Sequence, residues 1–258
     1  MLNLFERLIK HYYAVGYNKI TVTATTNTQF SKMEITPTIE KYLNGILTDE
    51  FHRYKSWDNC HQSFTNTKQT EIHTLKLAFY LASWGMYRGS SGLLQKSHLI
   101  HKGAVDILFS KEAQKLKCSS ENDVVRNNII DILGIKNKLA DHYSMIYFTK
   151  GGGKPRPISP TDTLLSKILL GTLGCVPAYD RYFIDGLKEM KIKNTAFNEI
   201  SLNKLFDFIE THTTEIEYTQ KHILTKTSQY YPVMKILDMY FWQIGYEKEL
   251  IEKQQKIK

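Results

Sequence analysis

The clearest structural signal in the chain lies in residues 159–183, which read Ser-Pro-Thr-Asp-Thr-Leu-Leu-Ser-Lys-Ile-Leu-Leu-Gly-Thr-Leu-Gly-Cys-Val-Pro-Ala-Tyr-Asp-Arg-Tyr-Phe. Five apolar side chains in this stretch recur at the three- and four-residue spacing of a helix, which predicts a helix with one face in the core. They are Leu164, Leu165, Ile168, Leu169 and Leu173.

Both ends of this helix are marked by residues that favour helix termini. Ser159 can cap the first turn, and Pro160 suits the first helical position. Gly174 is typical of the residue that ends a helix, and Pro177 makes the following turn rigid. Asp180 then opens a second, amphipathic helix, where a carboxylate is either an ordinary N-cap or a catalytic group.

The rest of the chain is also predicted to be mainly α, with about ten helices in all. A helix that begins at Glu71 is expected to bury one apolar face, formed by Ile72, Leu75, Ala78, Phe79, Ala82 and Met86. Further helices are predicted from the apolar periodicity, whereas residues 51–70 show no clear period. These helices cover residues 1–16, 38–48, 93–108, 121–134, 137–148, 202–212, 215–225 and 233–251.

The composition is that of a soluble globular protein with a basic surplus. Lysine and arginine number 34 against 26 acidic residues, and the net charge of +8 favours a polyanionic partner such as nucleic acid. Cys60, Cys118 and Cys175 lie far apart, which argues against a disulfide framework or a cysteine-based metal site. The amphipathic start is unlike a signal peptide, and no run approaches the roughly 18 apolar residues of a membrane span. We therefore expect a cytoplasmic protein with no membrane association.

A glycine-rich loop directly precedes the helix of residues 159–183. It is either a flexible surface hairpin or a contact to the DNA backbone, and it lacks the spacing and the Lys-Ser/Thr ending of an NTPase loop. Its candidate backbone contacts are Gly151, Gly152, Gly153, Lys154 and Arg156.

The order of helix, turn, apolar helix, Gly/Pro loop and aspartate resembles the helix-hairpin-helix superfamily of base-excision DNA glycosylases. A second match is the helix Leu75–Met86, which is followed by the polar loop Tyr87-Arg88-Gly89-Ser90-Ser91. The resemblance implies a mainly α fold of two interlocked helical lobes over residues 1–258. Residues 71–190 would carry the family-like helices, the hairpin and the catalytic carboxylate of Asp180.

The same resemblance implies the other site residues. Ser159 and Thr161 would join the glycine-rich loop on the DNA backbone. Residues of the base pocket or of the intercalating loop would be Trp84, Tyr87, Arg88, Ser90, Ser91, Gln95, Tyr179 and Arg181. The chain departs from the family in two respects, because the hairpin glycines are absent from residues 158–162 and Thr161 or Asp162 stands where bifunctional members carry a lysine. No Schiff-base lyase step, metal or organic cofactor is therefore expected.

The predicted function is that of a monofunctional DNA N-glycosylase, acting as a monomer on double-stranded DNA. Cleavage of the N-glycosidic bond creates oxocarbenium-like charge that a carboxylate can stabilise, once the base has been flipped into a pocket. The substrate would be a damaged or modified base, and a hypermodified phage base removed in defence is one candidate.

Two alternatives stay open at this stage. One is a DNA-binding module that keeps the fold without the chemistry. The other is a metal-dependent nuclease, because Asp185 with Glu189-Met190-Lys191 loosely matches the carboxylate pattern of such enzymes, although this stretch reads as helical. His98 and His101 could suggest a metal pair, but the sequence offers no third ligand and a solvated helix face explains them as well.

Overall fold

The structure, a computed structural model, describes residues 34–88, 91–149 and 151–256, and these contain eleven α-helices and one short β-hairpin. The helices are α1 (Ile35–Thr48), α2 (Lys55–Ser63), α3 (Thr70–Ser83), α4 (Lys102–Leu108), α5 (Lys111–Gln114), α6 (Ile129–Ser144), α7 (Asp162–Thr172), α8 (Arg181–Glu189), α9 (Glu199–Thr211), α10 (Thr213–Thr227) and α11 (Val233–Lys256). Strands β1 (Tyr147–Phe148) and β2 (Arg156–Pro157) pair antiparallel. Short 3-10 turns cover Leu93–Gln95, His98–His101 and Arg126–Asn128. The prediction of a mainly α fold is confirmed.

The last helix, α11, forms the centre of the core. Every residue from 234 to 245 is buried, and the helix packs against α8 and α1. The described residues belong to one compact unit, in which α7 lies against α2, α3 and α6. Among them, no helix combines the length and the apolar character needed to cross a membrane.

The backbones of α8 and α11 touch at two glycines. A Cβ atom on Gly186 would lie 1.9 Å from the carbonyl oxygen of Phe241, and one on Gly245 would lie 2.0 Å from that of Tyr182. Both distances are far below van der Waals contact, so only glycine allows this approach. The contact fixes α8, which begins directly after Asp180, against the central helix.

The helix predicted within residues 159–183 forms as α7, but its N-cap is not the predicted residue. Thr161 is the N-cap, because its hydroxyl accepts a hydrogen bond from the Leu164 N–H at 3.2 Å. Ser159 is exposed and lies outside the helix, so the prediction that it caps α7 is wrong. Gly174 has a φ of +72° directly after the helix ends, which confirms its terminating role.

Only part of the predicted apolar face of α3 is buried, because Ala78 and, just after the helix, Met86 lie in the core whereas Ala82 is exposed. Ile72, Leu75 and Phe79 are exposed, and the helix instead turns His73, Thr74, Leu77, Tyr80 and Leu81 inward. The two polar side chains can be buried because both find local partners. The ring of His73 contacts the carbonyl oxygens of Gln69 and Ser63, and the Thr74 hydroxyl donates to that of Glu71. The spacing of apolar residues alone therefore does not predict which face of α3 is buried.

Other boundaries also differ from the sequence prediction. The stretch 121–148 contains one helix, α6, rather than two, and it ends in strand β1. Residues 93–108 divide into two 3-10 turns and α4, while the unperiodic stretch 51–70 contains α2. The predicted helix over residues 1–16 lies outside the described residues.

Candidate active site around Asp180

The carboxylate of Asp180 has two partners at the start of α8. Its Oδ1 accepts a hydrogen bond from the Phe183 N–H at 3.2 Å, so it is the N-cap of that helix. Its Oδ2 lies 2.7 Å from Nζ of Lys167 on α7. The Lys167 side chain is only 4% exposed, whereas that of Asp180 is 16% exposed. The carboxylate is therefore firmly held but keeps an edge that another molecule can reach.

The loop that leads to Asp180 is fixed by side chains of two helices. On α7, the Ser166 hydroxyl accepts from the Tyr179 N–H and the Thr163 hydroxyl donates to the Tyr179 carbonyl, both at 2.8 Å. On α11, Oδ1 of Asp238 accepts from the Ala178 N–H at 3.0 Å. These bonds hold the backbone up to the residue before Asp180, as a preorganised catalytic group requires.

A second lysine–aspartate pair lies beneath this loop. Nζ of Lys235 is 3.0 Å from Oδ2 of Asp238, one turn along α11, and both side chains are buried. The ammonium also donates to the Tyr42 hydroxyl at 3.3 Å and lies 5.2 Å from the centre of the Trp57 ring. Such contacts offset the cost of removing two charges from water.

Aromatic side chains close the space between the two pairs. Trp84, Trp242 and Tyr80 line, together with both pairs, a cavity of about 10 Å³, which is room for a single water molecule. The Lys167 ammonium lies 5.0 Å from the centre of the Trp84 ring. This ring stacks on Tyr54 at 5.3 Å, and its buried indole N–H has no hydrogen-bond partner. Trp84 thus carries an unused hydrogen-bond donor in a side chain that lines the same cavity as Asp180.

Of the described residues that were predicted to form the base pocket, only Trp84 lines this cavity. The Tyr87 hydroxyl instead bonds Nε2 of His101 at 2.8 Å, and Nδ1 of that ring contacts the Tyr143 hydroxyl at 2.6 Å. The predicted residues outside the cavity lining include Arg88 and Gln95, which are exposed, and Ser91, which is half-buried. Ser90 lies outside the described residues.

The two predicted neighbours of the carboxylate do not line the cavity either. Tyr179 lies in the core, where its ring stacks on Phe197 at 5.0 Å and its hydroxyl contacts Ser201. It contributes to the placement of Asp180 through its backbone N–H and carbonyl, which α7 holds as described above. Arg181 is exposed and pairs with Glu249 at 2.8 Å.

The predicted backbone contacts occupy an exposed hairpin. Gly151 and Gly152 have φ angles of +58° and +73° in the turn between β1 and β2, and Gly153 and Lys154 follow on the exposed surface. The Arg156 guanidinium lies 4.8 Å from the centre of the Phe148 ring. Ser159 and Thr161 are exposed as well, although the Thr161 hydroxyl is already used as the α7 cap.

Most of the groups considered as metal ligands have protein partners, but Nε2 of His98 has no hydrogen-bond partner in the described part of the chain and lies 4.0 Å from a Glu71 carboxylate oxygen. Burial lowers the pKa of His101 to about 3, so its ring is neutral between the two tyrosines. Asp185 and Glu189 are both on α8, as the helical interpretation of this stretch predicted, and they pair with Lys188 and Lys248. Within the described residues, no three His, Cys, Asp or Glu side chains form a group that could hold a metal ion.

Sequence reasoning missed Lys167, Lys235 and Asp238. The signal that could have found them is a charged residue inside an apolar helix, because such a residue needs a buried partner. Comparisons of the chain with protein-family models, with curated proteins and with solved structures gave no match.

Proposed function

We propose that the protein is a monofunctional DNA N-glycosylase of the helix-hairpin-helix type in which Asp180 stabilises the sugar while the base leaves. The observation that carries the proposal is the pair of Asp180 and Lys167 at the mouth of α8, next to Trp84 and Trp242. The net charge of +8 supports a polyanionic partner.

The proposed reaction requires a carboxylate whose orientation is fixed and which the sugar of the substrate can contact. As the C1′–N bond breaks, its electron pair leaves with the base and positive charge develops on the sugar. Asp180 would lie against that charge and would accept a proton from the attacking water, whose oxygen forms the new C1′–O bond. The departing base takes up a proton, and an abasic site is left.

Lys167 has a positioning role in this proposal. Its ammonium is bonded to Asp180, where it fixes the orientation of the carboxylate and balances its charge. An ammonium in an ion pair is a poor nucleophile, so we retain the expectation that no Schiff-base step occurs. Borohydride treatment during the reaction should therefore trap no covalent adduct of protein and DNA.

A flipped base needs more room than the cavity offers. The cavity of about 10 Å³ must widen, and Trp84 is the side chain best placed to move, because it is half-buried and caps the end of α3 next to Gly85, whose φ is +70°. Its unpartnered N–H would then be available to the base or the sugar. The proposed substrate is a damaged or modified base, and hypermodified phage DNA is the first candidate to test.

An abasic-site assay in the presence of EDTA tests the proposal. Wild-type protein and the variants Asp180→Asn and Asp185→Asn are incubated with unmodified DNA and with hypermodified phage DNA, and the DNA is then treated with alkali. We expect alkali-sensitive sites from the wild type and from Asp185→Asn, but not from Asp180→Asn. Equal cleavage of all DNAs would contradict the modified-base substrate, and nicking that requires a metal would favour a nuclease.

The small cavity favours a second candidate, a DNA-binding module without chemistry. In that case every charged group at Asp180 is structural, and no DNA yields abasic sites while binding persists. Binding would weaken steeply with salt, because phosphate contacts release counterions. The same samples therefore distinguish the two candidates.

A further inference from the structure

A second cavity, with a volume of about 350 Å³, lies between α1, α2 and the C-terminal end of α10. It shares no lining residue with the cavity at Asp180. Its size falls within the range of about 300–1,000 Å³ that is typical of small-molecule sites. We call it the Asp58 cavity, after the carboxylate of α2 that lines it together with Lys55, Gln62, Lys226, Gln229 and Tyr231.

Asp58 is an unusual residue in this wall. It is only 8% exposed, and its Oδ1 has no hydrogen-bond partner, although the Tyr231 hydroxyl bonds the carboxyl group. A buried carboxylate oxygen without a partner is unfavourable unless a donor reaches it. Asp58 lines the cavity, but Oδ1 itself is enclosed, so a ligand N–H or O–H would reach it after a small rotation of the carboxyl group.

Lys55 supplies an unpaired positive charge to the same cavity. It lies one turn before Asp58 on α2, and its charge acts to lower the pKa of the Asp58 carboxyl. The two side chains nevertheless form no ion pair, and within the described residues the ammonium makes no hydrogen bond. Lys226, across the cavity on α10, is by contrast held by both carboxylate oxygens of Glu40 at 2.7 and 2.9 Å. The side-chain amides of Gln62 and Gln229 also have no partner in the described part of the chain.

The side chains without partners indicate which chemical groups a ligand of this cavity would carry. An unpaired ammonium fits an anionic group, and an unpartnered carboxylate oxygen fits an N–H or O–H donor at the other end of the same molecule. Two amides add both donors and acceptors, which suit the edge of a nucleobase better than an apolar surface. A free amino acid would satisfy the two charges but would leave both amides unused and much of the volume empty.

We propose that the Asp58 cavity binds a phosphorylated small molecule of the size of a mononucleotide, with the phosphate at Lys55 and a hydrogen-bond donor at Asp58. This site is independent of the chemistry at Asp180, so either proposal can fail without the other.

Isothermal titration calorimetry with the four nucleoside 5′-monophosphates tests the inference on the full chain, with inorganic phosphate and adenosine as partial ligands. We expect saturable binding of at least one mononucleotide, and binding at least about tenfold weaker for either partial ligand. No saturable binding of any of the four would overturn the proposal. Phosphate that binds as tightly as the mononucleotide would overturn the role of Asp58.

Three variants locate the site. Lys55→Gln and Asp58→Asn should each weaken binding at least about tenfold, because each removes one charge-assisted contact. Lys221→Gln removes an exposed charge from α10 outside the cavity lining and should leave binding unchanged. Asp58→Asn should melt no lower than the wild type, so its loss of binding cannot be ascribed to unfolding. Unchanged binding in both cavity variants would overturn the assignment.

Discussion

The two cavities differ in how their charged groups are used. At Asp180 both lysines are paired with aspartates, the rings close around them, and about 10 Å³ is left. In the Asp58 cavity a lysine and an aspartate of the same helix stay unpaired around about 350 Å³. The first arrangement stabilises the fold and presents a fixed carboxylate, whereas the second leaves groups free for a ligand. Removing a charged group should therefore destabilise the protein at the first cavity, and should leave its stability unchanged or raise it at the Asp58 cavity.

The largest expected effect is the loss of one partner from the buried pair. Lys235→Met should lower the free energy of unfolding by about 3–5 kcal/mol, because it leaves the Asp238 carboxylate buried and unpaired. Lys55→Met, at the Asp58 cavity, should change it by less than about 0.5 kcal/mol. Urea denaturation of both variants measures this difference in the free energy of unfolding. Equal losses in the two variants would contradict the claim that the lysines of the two cavities differ in their contribution to stability.

The glycine contact of α8 and α11 gives the next largest effect. Gly186→Ala should destabilise the protein by about 3 kcal/mol, since the added methyl group meets a backbone carbonyl that cannot move aside. Gly134→Ala is the matched control, because a Cβ on this α6 residue meets nothing within 4 Å and alanine favours helices. Thermal melts of the two variants should shift in opposite directions. A neutral Gly186→Ala would contradict the close approach of the two helices.

Asp58→Asn should stabilise the protein at neutral pH. Burial raises the pKa of the Asp58 carboxyl from 3.8 to about 6, so the folded state holds this proton more tightly than the unfolded state. The resulting stabilisation is complete below about pH 3.8 and is lost as the pH rises through about 6. At pH 7.5 the variant should gain up to about 3 kcal/mol, at 1.36 kcal/mol per pKa unit.

The difference in unfolding free energy between this variant and the wild type is measured from pH 3.5 to 8. It should grow between about pH 4 and pH 6 and then become constant. A difference that does not depend on pH would contradict an unpaired carboxyl at this place.

The smallest effect concerns the helix that carries Lys167. Thr161→Ala should lower the free energy of unfolding by about 1 kcal/mol, because it removes the N-cap of α7. Ser159→Ala should change it by less than about 0.5 kcal/mol, since this residue is exposed and outside the helix. If urea denaturation instead showed the larger loss of unfolding free energy for Ser159→Ala, Ser159 and not Thr161 would be the N-cap.

The sequence made the α7 region predictable because its apolar spacing and Gly174 are local signals. The inward face of α3 was not predictable, since His73 and Thr74 are buried through hydrogen bonds that depend on the folded backbone. The close contact of α8 and α11 depends on Gly186 and Gly245, which lie 59 positions apart and carry no mutual signal in one sequence.

The residues of the candidate sites likewise divide into those that have a local sequence signal and those that have none. Asp180 could be found because a carboxylate at the start of a helix is a local pattern. Its partner Lys167 lies 13 positions earlier, inside a run of leucines, and only the packing of α7 on the following loop brings the two together. Asp58 could not be found from the sequence, because the lack of a partner for its Oδ1 depends on how the folded chain packs and not on residue spacing.

The most direct test of the account is the single-turnover rate of abasic-site formation on hypermodified phage DNA. The rates of wild type, Asp180→Asn and Asp185→Asn are compared at saturating protein with EDTA present. We predict that Asp180→Asn lowers the rate by at least about 10²-fold, as expected for loss of a group that stabilises transition-state charge, and that Asp185→Asn retains it. An Asp180→Asn variant as active as the wild type would contradict the assignment of the catalytic carboxylate.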